Sequence, residues 1–213
     1  MSFQLETGDI LSCYSGDRVP RFISWVTMNP FAPKTLKYGP GHVATIVEYE
    51  DQKVWAESTT LVNHPCTITE RDKPRGCQAH NILDRVHDYR EQEGNVYLYR
   101  LSPINTFTAS EKEIWNSVLI DYFIKNEVNY DMGGALISGT RIISRTDFLP
   151  SDALSSVFCS ELIAACLMRV CRLVKGNPTR YNPSTLLRKL VKDGTYEYKG
   201  EIKVVHGTLT LVT

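Results

Sequence analysis

Two strand-like runs separated by a short polar connection set the frame of this chain. They are His42-Val43-Ala44-Thr45-Ile46-Val47-Glu48-Tyr49 and Lys53-Val54-Trp55-Ala56-Glu57-Ser58. Both are rich in β-branched and apolar residues, and the punctuation Gly39-Pro40-Gly41 precedes the first, so together they read as a β-hairpin. A two-residue turn at Glu50 and Asp51 pairs Ala44 with Glu57 and sets His42 one diagonal step from Glu57 on the same face. Strand side chains alternate, so one residue more or less in the loop puts them on opposite faces. The spacing allows the first geometry without forcing it.

Around this hairpin the chain alternates strand and helix signals. Gly8 to Tyr14 reads as a turn leading into a short strand, and Val96 to Leu101 alternates like a half-buried one. Arg18 to Met28 carries a helical apolar pattern whose greasy side includes Phe22 and Trp25. It is either a core-packing helix or one wall of a substrate cleft. Thr108 to Glu111 is a capping box that opens a helix with Trp115, Leu119, Tyr122 and Phe123 on one stripe. Asn182-Pro183-Ser184 starts a last helix ending near Gly194, and closing strands follow to Val212.

Residues 59 to 94 are the least periodic part and read as a long loop excursion with one short helix around Ile82 to Tyr89. His64, Cys66, Cys77 and His80 fall within it. They are zinc-ligand types, but their spacing departs from the common finger patterns, so they read as ordinary loop residues and no metal site is assigned.

Val157-Phe158-Cys159-Ser160-Glu161-Leu162 reads as the start of a buried helix, with Ser155 and Ser156 as N-cap candidates. Ile163, Cys166, Leu167 and Val170 recur at helical spacing. Cys159 then sits at the helix's positive end, where unpaired N–H groups favour a thiolate. A free cysteine is, however, usually a small core hydrophobe.

Length and charge narrow the classes. The 213 residues suit one α+β domain, a small antiparallel sheet or partial barrel packed against helices. Basic and acidic side chains balance at 24 each with no basic cluster, so nucleic acid is a poor partner. No segment reads as an export signal or approaches the length of a transmembrane span, and the six cysteines are expected to be reduced in a cytoplasmic setting. The oligomeric state is not legible.

A cysteine at a helix start, a histidine at a strand start and a carboxylate on the partner strand supply the roles of thiol catalysis. The thiolate attacks a carbonyl, the imidazole moves the proton, and a third polar group fixes the ring. Each also has a bland explanation, as a core cysteine, a surface histidine and an exposed strand glutamate.

Gly8-Asp9-Ile10-Leu11, Gly41-His42-Val43-Ala44-Thr45-Ile46-Val47, Trp55-Ala56-Glu57-Ser58 and Phe158-Cys159-Ser160-Glu161-Leu162-Ile163 together resemble the circularly permuted papain-like proteins related to NlpC peptidases, the YaeF/YiiX-like group. Tyr130-Asp131 looks like that family's Tyr-Asp pair, and Asn182-Pro183-Ser184 like its closing helix start. The resemblance implies a permuted papain-like fold with Cys159 as nucleophile, His42 as base and Glu57 as the orienting residue. Phe22, Trp25 and Tyr130 are the candidates for substrate contact. The activity implied is hydrolysis or acyl transfer at an amide or ester, without cofactor, on a short cell-wall-type peptide or an acyl-lipid-like substrate. The rival reading is a lipid- or peptide-binding module that keeps the fold without turnover.

Overall fold

The computed structural model describes residues 3–15, 27–60, 64–129 and 158–213. Seven strands form a single antiparallel sheet: β1 (Ile10–Tyr14), β2 (His42–Tyr49), β3 (Gln52–Thr59), β4 (Gly76–His80), β5 (Asn95–Leu101), β6 (Tyr196–Val205) and β7 (Thr208–Val212). Their order is β4-β3-β2-β1-β5-β6-β7, an open sheet with β4 and β7 at its edges, larger than the small sheet or partial barrel expected. The described α-helices are α1 (Ile82–Glu91), α2 (Ala109–Ser117), α3 (Cys159–Arg169) and α4 (Pro183–Lys192). None of them is long and apolar enough to cross a membrane.

The central hairpin has the two-residue loop, Glu50 and Asp51. Glu50 and Asp51 both take positive φ, 47° and 60°, and Tyr49 pairs with Gln52 through to Thr45 with Ala56. Two left-handed residues in a two-residue loop match the twist of the strands they join, so the register is fixed at the turn. His206 and Gly207, at φ 50° and 75°, close the β6–β7 hairpin in the same way.

Helices cover both faces of the sheet. On one face α2, α3 and α4 bury Trp115, Leu162, Ile163, Cys166, Leu186 and Leu190 against Ile10, Val43, Val47 and Ala56. On the other, α1 lays Ile82, Val86 and Tyr89 over Leu11, Ala44, Ile46 and Trp55. That double cover is why β2 reads as a continuous apolar run, since side chains on both sides of it are dry.

Residues 59 to 94 differ most from the loop expected. Gly76 to His80 add β4 to the edge of β3, and the helix that follows packs across the sheet. β4 is short and carries Gln78 and His80, so it shows no alternation of apolar residues. The stripe beyond Thr108 is also altered. Trp115, Leu119 and Phe123 are buried, but Val118–Ile124 winds as a π-helix and Tyr122 is exposed. The wider turn rotates later residues off the 3.6-residue stripe. Thr27 and Met28 are not helical, and the rest of the helix expected from Arg18 lies outside the described residues.

Candidate active site

α3 begins abruptly at Cys159. The preceding Phe158 is extended, at φ −94° and ψ 170°, and serves as N-cap without a side-chain acceptor. Glu161 instead reaches back, its Oε2 accepting from the Phe158 N–H at 3.1 Å. Ser160 Oγ donates to the Tyr181 carbonyl at 2.6 Å, tying the first turn to the approach to α4. The apolar side of α3 is buried against the sheet, so these contacts fix Cys159 at a helix start whose N–H groups have no intrahelical acceptor.

His42 is the first residue of β2, beside Cys13 of β1. Its Nε2 lies 2.7 Å from Glu57 Oε2. The Cys159 thiol is coupled to the same ring by a hydrogen bond and by charge. Burial works against a charge on His42, yet the neighbouring Cys159 and Glu57 outweigh it and lift the ring to about 10. The structure thus brings Cys159, His42 and Glu57 together from three elements.

Glu57 is fully buried, and burial alone raises a carboxyl's pKa. Arg85 reverses the outcome. Its Nε donates to Glu57 Oε1 at 2.7 Å and an Nη to Oε2 at 3.3 Å, and with His42 it holds the carboxyl well below its usual range. Arg85 is held in turn by Asp88 Oδ2 at 2.6 Å, and its guanidinium carbon sits 5.2 Å from the Tyr89 ring centre and 5.7 Å from that of Trp55. Asp88 Oδ1 lies 2.9 Å from His64 Nε2.

Arg85 was not legible as a functional residue from the sequence alone. Its one signal was position. Ile82, Arg85, Val86 and Tyr89 fall at i, i+3, i+4 and i+7, so a cation stands on the buried stripe of a helix, where it needs an anionic partner.

The other sequence candidates are placed differently. Phe22, Trp25, Tyr130, Ser155 and Ser156 lie outside the described residues. His64, Cys66, Cys77 and His80 do not converge on one point, although the His64 and His80 rings lie 6.4 Å apart. His64 meets Asp88, the His80 ring lies between the Pro65 carbonyl and Gln78, and Cys66 Sγ accepts from the Ala79 N–H. Cys77 is buried, and burial pushes its thiol up to about 12. Among the described residues no group of three His, Cys, Asp or Glu side chains is placed to hold a metal ion.

No protein-family model matches the chain, and no curated protein matches it. Its structure is similar to that of the metalloprotein yiiX from Escherichia coli O157:H7. The similarity covers 99% of this chain and 98% of that one, with a TM-score of 0.51 at 12% identity. The donor chemistry around Cys159 does not suit a metal: both Glu57 oxygens accept from a guanidinium, one of them also faces His42, and a fixed cation stands beside them. At that identity the likeness extends to the fold: this chain has a YiiX-like α+β architecture.

Proposed function

We propose that the protein is a thiol-dependent hydrolase or acyltransferase acting on an amide or ester carbonyl through Cys159, His42 and Glu57. The observation that carries the reading is the His42 ring, held at 2.7 Å by a buried, ionised Glu57 and coupled to the Cys159 thiol. A satisfied core histidine has no use for a cysteine at a helix start, whereas nucleophilic catalysis needs both. The resemblance of the surrounding motifs to permuted papain-like proteins related to NlpC peptidases supports the same chemistry.

In this mechanism His42 already holds the thiol proton as an imidazolium, and the Cys159 thiolate sulfur adds to the carbonyl carbon. The N–H of Cys159, at the start of α3, donates to the oxygen on which charge develops. The carbon–nitrogen or carbon–oxygen bond then breaks, and the imidazolium gives its proton to the departing amine or alcohol. A thioester remains on Cys159. Water, or an acceptor hydroxyl or amine, next loses a proton to His42 and attacks the thioester, returning the free thiol. Glu57 fixes the ring and stabilises its charge throughout.

The substrate classes in question are short peptides and acyl-lipid-like molecules. The test is to incubate the protein with activated acyl esters and short peptide amides, quench in acid and weigh the peptide containing Cys159. An acyl adduct at Cys159, together with turnover that Cys159→Ala abolishes without unfolding, is expected. Binding of these compounds with neither adduct nor turnover would instead mark a module that uses the fold for sequestration.

A further inference from the structure

A residue absent from the triad stands directly behind it. Glu57 projects from β3 towards the face covered by α1, opposite the face on which α3 packs. Arg85 meets it there with two donors, one for each carboxylate oxygen. We propose that Arg85 is a positioning residue for the thiol chemistry, its guanidinium gripping both Glu57 oxygens and so fixing the direction in which the carboxylate presents itself to His42. The proposal rests on the reading of Cys159 and His42 as the reacting pair.

Three features of the contact support it. The contact is a fork rather than a point. A planar guanidinium bonded at two nitrogens sets the plane of the carboxylate as well as its distance, which a single ammonium does not do. The guanidinium is itself held in place, being bonded to Asp88 and set near the rings of Trp55 and Tyr89. Finally, the pair is buried, with Arg85 side-chain exposure of 5% and Glu57 of 0%, so solvent does not screen it.

The charge balance explains why an arginine is required. The groups that face Glu57 are Arg85 and Tyr89 from α1, His42 from β2, Cys13 from β1 and His80 from β4. His80 is pushed by burial towards its neutral form, and burial holds the Cys13 thiol and Tyr89 hydroxyl protonated. Arg85 is therefore the one cation among them besides His42. Without it, a carboxyl in so dry a place takes up a proton at higher pH, and a protonated Glu57 no longer favours the imidazolium. Arg85 touches neither the thiol nor a substrate carbonyl. Its action passes through Glu57.

The test is site-resolved alkylation by iodoacetamide, read by mass spectrometry from about pH 4.5 to 9, a range that spans the carboxyl and imidazole titrations. The exposed Cys171 is the internal standard. Wild type is compared with Arg85→Met, Arg85→Lys and His42→Ala. Arg85→Met is expected to slow Cys159 about tenfold near pH 6, as for other residues that orient a functional imidazole, and to add an acid limb to its profile. Arg85→Lys keeps the charge but loses the fork, so its profile keeps the wild-type shape at a reduced rate. Cys171 is unchanged in each. Should Arg85→Met fail to fold, Arg85→Lys decides, and a Cys159 rate equal to wild type overturns the proposal. Arg85 variants that both superimpose on wild type, while Cys159 stays fast and dependent on His42, overturn the positioning role alone. A wild-type Cys159 no faster than Cys171 and indifferent to His42→Ala overturns the thiol reading and this proposal with it.

Discussion

Cys159 and Cys166 lie two turns apart on α3, the first at the helix start and the second inside it, and differ in what surrounds them. Burial pushes the Cys166 thiol well up among apolar neighbours, whereas Cys159 meets an imidazole. Cys166→Ala is therefore expected to cost about 1–2 kcal/mol in denaturant unfolding and to leave Cys159 alkylation unchanged. The paired His42 also makes stability depend on pH. Its folded value, about 10, lies above the unfolded 6.5, so its contribution is complete below pH 6.5 and is lost as the pH climbs towards 10. Unfolding free energy measured across that window should fall in wild type and fall less in His42→Ala. Glycine- and proline-bounded runs and a helix start made His42, Glu57 and Cys159 legible as residue types. Arg85 was not, because its role depends on a partner 28 residues away in sequence.

At the scale of elements, the turn decides the site. Glu50 and Asp51 form a loop with two positive φ values, and the register running from it places Glu57 on the face that His42 reaches. The sequence allowed this spacing and left the alternative open, because neither residue is the glycine or asparagine that announces such a turn. β4 is illegible in the sequence for a related reason, being too short and too polar to show a period. It is held by a tight backbone approach. Gly76 has φ +100°, and a Cβ there would come within 2.2 Å of the Val128 carbonyl oxygen. Gly76→Ala is expected to destabilise the fold by about 1–3 kcal/mol, measured by chemical denaturation, since both the conformation and the space exclude a side chain.

Across the whole molecule, three layers converge on one end of β2. The sheet supplies His42 and Glu57, α3 brings Cys159 from one side, and α1 braces the carboxylate from the other. A buried charge pair is a poor source of stability against apolar residues of the same volume, so its presence beside Cys159 points to chemistry rather than to packing. The fold is that of yiiX, but likeness at 12% identity leaves function to the site itself. The most direct test of the account is the rate of Cys159 alkylation at neutral pH, set against Cys171 in the same sample and repeated in His42→Ala. The account predicts that Cys159 reacts faster than Cys171 and loses that advantage when His42 is removed. Equal rates at the two cysteines, unchanged by His42→Ala, would contradict it.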